Sequence, residues 1–194
     1  PLPMKLLLID TSTDNCSVSI SANAQPLCTV EQVGRRLHSE VLNAFIQQAL
    51  QKAGTDLSEL AGVAVGKGPG SYTGLRIGVS TAKALCYALS VPLVGINSLT
   101  TLAWQARASV GDHKAAYCPM LDARRMEVYT ALYDGALNPV QPTSALIVDE
   151  TKAEELLEGQ VMTYLVGEGA TKAAPYFKEH DAELVSTINY PSAA

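Results

Sequence analysis

Gly66-Lys67-Gly68-Pro69-Gly70-Ser71-Tyr72-Thr73-Gly74-Leu75-Arg76-Ile77-Gly78 joins an apolar run, Gly62 to Val65, to a long stretch of helical character. A buried strand, a glycine-rich crossover and a helix in that order form one unit of an α/β fold, because a parallel return needs a helix laid on the sheet. Such a crossover can aim backbone N–H groups at a phosphate from the helix N-terminus. Three known motifs fail on it. Gly66-Lys67 is followed by Gly68 where a Walker A loop requires Ser or Thr, and neither Gly66 nor Gly68 begins a complete G-x-G-x-x-G. Tyr72, not serine, stands at the centre of Gly70 to Gly74, so the nucleophile elbow is absent too. Spacing alone leaves two readings open: a tight structural crossover whose glycines permit positive φ and close packing, or phosphate contact through Gly68, Gly70 and Ser71.

Upstream of the loop, Leu6 to Ile9, Val18-Ser19-Ile20 and Leu27 to Val30 are separated by polar turns and read as a three-strand meander. His38-Ser39-Glu40 opens an amphipathic helix with apolar Val41, Leu42, Phe45, Ile46, Ala49 and Leu50, and Gly54 stops it. Downstream, the second helix covers about Gly74 to Leu89, Leu93 to Ile96 is a strand, and Ser98 is expected to N-cap a helix to about Ala108. Val110-Gly111-Asp112 is the expected hinge, giving a βββαβαβα lobe over 4–109 and a shorter α/β lobe over 110–194. In the second lobe Tyr117 to Leu121, Val128 to Tyr133 and Tyr164 to Val166 read as strands, and Thr151 to Leu157 and Ala170 to Lys178 as helices, an abbreviated echo of the first. The stretch Asn189 to Ala194 reads as a turn leading nowhere, after which a further helix is expected; the native start is expected at Met4.

Composition excludes several classes. No apolar run approaches the roughly 18 residues of a membrane span. A net charge of -5 with no dense basic tract argues against strong autonomous nucleic-acid binding. Cys16, Cys28, Cys86 and Cys118 form no C-x-x-C pair, so neither a zinc ribbon nor a redox motif is present. Reduced thiols packed as small hydrophobes in a cytoplasmic protein are the expectation.

The first strand and turn, Leu8-Ile9-Asp10-Thr11-Ser12-Thr13-Asp14-Asn15, are reminiscent of the phosphate hairpin of actin-like and sugar-kinase-like ATPases, with Ser12 where those families usually have glycine. Together with Leu37-His38-Ser39-Glu40, Leu121-Asp122-Ala123-Arg124-Arg125 and the long glycine string, it makes the chain resemble the bacterial TsaB (YeaZ) family over essentially its whole length. The resemblance implies an actin-like, sugar kinase/Hsp70-like two-lobe fold with ribonuclease H-like lobes. It implies a part in making threonylcarbamoyladenosine in tRNA, as the partner of the TsaD subunit that transfers the threonylcarbamoyl group. It also implies a TsaE-type ATPase acting on the pair, a homodimer when the chain is alone, and tRNA met only through the complex.

Candidate sites follow from these two sources. Asp10, Thr11, Ser12, Gly68, Gly70 and Ser71 are the candidate phosphate contacts, with no cofactor expected on this chain and ATP at the level of the complex. TsaD relatives hold a metal through two histidines four apart on a helix. Here Leu42 follows His38 at that distance, and His113 and His180 lie far off, so no metal site and no catalytic residue is expected. Arg124 and Arg125 could contact a phosphate or RNA backbone, or form a solvated turn. The Gly74 to Leu89 helix is apolar nearly all round apart from a stripe of Arg76, Ser80, Lys83 and Tyr87, which suits burial on more than one side. That burial is either within the chain, between the sheet and another helix, or against a second subunit; the resemblance implies that this helix and the preceding one pair with their counterparts in TsaD, which makes Gly74, Leu75, Ile77, Gly78, Val79 and Ala82 the expected partner interface. The alternatives are a stand-alone actin-like ATPase or a peptidase acting on its TsaD relative.

Overall fold

The computed structural model describes residues 3–34, 37–160 and 162–194. Alternating apolar positions build the first sheet: β1 (Lys5–Asp10), β2 (Asn15–Ala22) and β3 (Gln25–Val33) run as an antiparallel meander in which Ile9 faces Val18 and Val18 faces Val30. α1 (His38–Ala53) then lays Leu42, Phe45, Ile46 and Ala49 on that sheet at helical spacing and stops at Gly54, whose φ of 59° is the left-handed C-terminal geometry glycine adopts without strain. β4 (Leu60–Gly66) returns parallel to β1. α2 (Tyr72–Leu89) begins two residues earlier than the sequence suggests, because the Ser71 hydroxyl accepts the Gly74 N–H at 3.3 Å and caps the first turn. β5 (Leu93–Ile96), parallel to β4, completes the order β3-β2-β1-β4-β5.

The second sheet repeats this plan. β6 (Ala116–Asp122), β7 (Glu127–Tyr133) and β8 (Pro139–Ile147) form its meander, β9 (Thr163–Val166) lies parallel to β6, and β10 (Ala182–Val185) lies parallel to β9. Its order, β10-β9-β6-β7-β8, is that of the first sheet read from the other edge. A meander followed by two parallel crossovers is the ribonuclease H-like arrangement, and its occurrence twice in one chain is the actin-like fold. α4 (Glu150–Leu157), with Asp149 accepting the Lys152 N–H at 2.8 Å as its N-cap, and α5 (Glu168–Ala173) bury Ala153, Leu156, Ala170 and Ala173 with Cys118, Met120 and Leu165. No helix among the described residues is long and apolar enough to cross a membrane.

Three expectations are corrected. The chain divides at Ser98 and Leu99, into Pro1–Ser98 with Ser192–Ala194 and Leu99–Pro191, and not between 109 and 110. The cause is α3 (Ser98–Val110), which packs Leu99, Leu102, Ala103 and Ala106 on Tyr117, Leu121, Ala131, Tyr133 and Val166 of the second sheet. Ser98 is the first residue of that helix, and its buried hydroxyl has no hydrogen-bond partner among the described residues, so it does not cap. Residues beyond Pro191 return to the first unit, where the Ser192 hydroxyl donates to the Glu31 carboxylate at 2.7 Å and the Ala193 N–H to the Ser17 hydroxyl at 3.0 Å.

Candidate functional site

β1 ends at Asp10 because its carboxylate turns back on the chain. Oδ1 accepts the Ser12 N–H at 2.9 Å and the Ser12 hydroxyl at 2.7 Å, an Asx turn that starts the β1–β2 hairpin. Asp10 is almost wholly buried, and burial pushes its carboxyl up to about 6 although both Ser12 hydrogen bonds act to lower it. The glycine loop lies directly on this hairpin. Ser71 donates its N–H to the Ser12 carbonyl at 2.6 Å, and Gly70, at φ 151°, comes so close that a Cβ there would overlap that carbonyl. Ser98 N–H to Gly68 carbonyl, at 3.0 Å, and Lys67 N–H to Ile96 carbonyl, at 2.8 Å, tie the rest of the loop to the end of β5.

The fold thus brings together all six residues read as phosphate contacts, Asp10, Thr11, Ser12, Gly68, Gly70 and Ser71, but turns them on one another. A phosphate cradle needs free amides and room for backbone approach. Here the Ser12 amide serves Asp10, the Ser71 amide serves Ser12, the Gly74 amide serves Ser71, and Thr11 and Ser12 are fully buried. These three amides are therefore engaged within the chain.

α2 requires the second correction of site residues. Gly74, Gly78 and Ala82, expected to let a partner helix approach, are buried in the chain's own core together with Cys86. Their smallness admits the β1–β2 hairpin: the Thr11 hydroxyl donates to the Gly74 carbonyl at 2.8 Å, and a Cβ on Gly78 would overlap Thr11 Oγ1. Ile77 and Val79 are half-buried against that core, and Leu75 lies over Gly68. What α2 shows to solvent is a different stripe: Tyr72, 74% exposed, Arg76, Ser80, Lys83 and Tyr87, 90% exposed. The Arg76 guanidinium sits 5.6 Å from the Tyr72 ring centroid, within cation–π range. The polar positions at i, i+4, i+7 and i+11 from Arg76 are visible in the sequence, on the face opposite Gly74, Gly78 and Ala82.

His38 is the first residue of α1, as read, and its buried Nε2 has no partner among the described residues. No group of three His, Cys, Asp or Glu side chains suited to a metal occurs among the described residues. Burial pushes the Cys16 thiol up to about 11, with the Asp10 charge adding to it, and the Cys118 thiol up to about 12, so neither is a nucleophile near neutral pH. Arg124 and Arg125 lie together on the β6–β7 turn, both exposed.

Comparison with known proteins gives a consistent answer. The family model described as TsaD, tRNA N6-adenosine threonylcarbamoyltransferase, matches residues 29–185. The tRNA threonylcarbamoyladenosine biosynthesis protein TsaB of Escherichia coli is 33% identical over 86% of this chain and 72% of its own length. The protein of the same name from Bacillus subtilis is 34% identical over 72% of this chain, which spans 60% of that relative. The solved structure of YeaZ from Pseudomonas aeruginosa superposes with a TM-score of 0.83 at 26% identity, covering 98% of this chain and 87% of that one.

Proposed function

Since the chain belongs to the TsaB (YeaZ) family, whose members share a domain with the TsaD transferases, we propose that it acts as the non-catalytic partner of a TsaD-type threonylcarbamoyl transferase in tRNA modification. The observation that carries this reading is the solvent-exposed stripe of α2. Two tyrosines, Tyr72 and Tyr87, stand almost free of the fold on one helix face with Arg76 between them, and contribute little to its core. Tyrosine and arginine are the residues that protein interfaces concentrate, since each brings a large apolar body and a polar end. The α1 side chains Asn43, Ala44, Gln47 and Gln48 are exposed as well, so α1 extends the polar surface that a partner helix pair could cover.

The closed hairpin supports the second half of the reading. Asp10, Thr11 and Ser12 are committed to internal hydrogen bonds, so nucleotide chemistry belongs to the partner or to a TsaE-type ATPase acting on the pair. In the absence of TsaD the same stripe serves a homodimer, and tRNA is met through the complex.

The test is to mix the chain with a TsaD-type protein and measure sedimentation. A species heavier than either component is expected. ATP turnover by the chain alone, or cleavage of the TsaD protein, would overturn the reading in favour of a stand-alone ATPase or peptidase.

A further inference from the structure

The β6–β7 turn places arginine at the two positions where its backbone tolerates it least. Arg124 has φ 77° and Arg125 φ 49°, left-handed values that Asn and Gly occupy at least cost in a tight hairpin. The turn is nevertheless held firmly. The Asp122 carboxylate accepts the Arg124 N–H at 2.9 Å, the Ala123 N–H donates to the Glu127 carbonyl at 3.1 Å, and the Glu127 N–H to the Arg124 carbonyl at 3.0 Å. Lys172, from α5, then reaches across: its ammonium donates to the carbonyls of Arg125 at 2.8 Å and Glu127 at 2.7 Å and pairs with the Asp122 carboxylate.

That ammonium engages the carboxylate nearest the arginines. Both arginines are exposed; the Arg124 charge helps hold the Asp122 carboxyl low, and neither guanidinium makes a close ion pair among the described residues. Backbone strain that the surroundings overdetermine points to use rather than accident. The backbone bearing both side chains is already fixed, so binding has only the side chains themselves to order.

We propose that the Arg124–Arg125 turn docks phosphodiester groups of an RNA backbone. The proposal rests on the tRNA-modification reading above for the identity of the polyanion. A guanidinium presents a planar fork that matches phosphate oxygens in pairs. The turn itself, Ala123 to Met126, carries no aromatic ring on which a base could stack, so it reads backbone and not sequence. A chain of net charge -5 has no long-range pull on RNA, which makes preset local cations the means by which it could take part.

The experiment is anisotropy titration of a labelled tRNA, with the chain alone at low ionic strength and with the chain plus a TsaD-type protein, alongside sedimentation of the pair. R124A/R125A is expected to weaken RNA binding about tenfold and to reduce the slope of log K against log salt by about 1.5, two phosphate contacts' worth. R124G/R125G should weaken it equally while melting no lower than the parent, because glycine takes both φ values freely, so the loss is not unfolding. R124K/R125K, which keeps charge and loses the fork, should fall between. Unchanged affinity and slope in the alanine pair, or no arginine-dependent RNA binding by the parent in either setting, would overturn the proposal. Loss of TsaD association with RNA binding intact would overturn it too, in favour of an acidic protein surface. Arginine-dependent RNA binding by a chain that never associates with TsaD would sustain the proposal and sink the partner reading instead.

Discussion

Thr11 fills the notch that Gly78 leaves in α2, so closely that a Cβ on the glycine would overlap the threonine Oγ1. The contact holds the β1–β2 hairpin to the helix, and Gly78 is therefore a fold residue. Gly78→Leu is expected to cost about 1–3 kcal/mol through overpacking, read as a lower urea midpoint with an unchanged slope. Gly78→Ala combined with Thr11→Ala should cost less than the sum of the two single changes. An unaltered midpoint in Gly78→Leu would show that the hairpin can move away.

The exposed stripe behaves oppositely. Tyr87→Glu and Tyr72→Glu should leave the melting temperature nearly unchanged, as surface substitutions typically stay within about 0.5 kcal/mol. Each should weaken association with a TsaD-type protein by roughly tenfold or more. Intact sedimentation of the pair with both variants together would move the interface elsewhere.

Asp10 gives the chain a pH signature. Its folded carboxyl titrates near 6, above the ordinary 3.8, so between those values the folded state holds a proton that the unfolded chain has lost. Its contribution to stability is fully present below pH 3.8 and is lost as pH rises through 6, a swing of about 3 kcal/mol. Subtracting the urea-derived stability of Asp10→Asn from that of the parent isolates this term from other carboxylates. A difference that stays flat from pH 4 to 7 would contradict the buried, protonatable state.

Lys172 clamps the β6–β7 turn from another element, and Lys172→Met should release it. The ammonium and the Asp122 carboxylate are both partly exposed, so solvent screens the pair and the cost is expected at about 1 kcal/mol, mostly from the Arg125 carbonyl left without its donor, since the Glu127 carbonyl keeps the Ala123 N–H. Hydrogen exchange should quicken at Ala123 and Glu127, whose amides close the turn. Unchanged exchange there would mean that the Asx turn alone suffices.

Local signals made most of the fold legible. Gly54 stops α1 where expected, the apolar runs before Asp10 and Gly66 are β1 and β4, and the first meander and the β6–β7 hairpin follow their turns. β8 and β10 were missed. Pro139 and Pro142 suppress a strand reading in β8, yet an edge strand tolerates them because one side of its backbone has no ladder to complete. β10, four residues long at the other edge, has too few positions to show a period. The fold brings the candidate phosphate residues together, but a sequence does not show that Asp10 and Ser71 engage the hairpin's polar groups internally. In α2 the glycine spacing marked close packing correctly and its partner wrongly, since the sequence cannot say whether Gly78 meets a second chain or its own Thr11.

The return of Ser192 and Ala193 to Ser17 and Glu31 sets an order of assembly. The second unit is one uninterrupted segment, Leu99–Pro191, and all its strands are available to it before Ser192 is made. The first unit is assembled from two separated segments: its sheet can pair early, but the Glu31 carboxylate waits for a donor 161 residues away, and the Ser17 hydroxyl for one 176 residues away. During synthesis on a ribosome the contacts of Ser192 and Ala193 with the first half therefore close only after the whole of Leu99–Pro191 has left the exit tunnel.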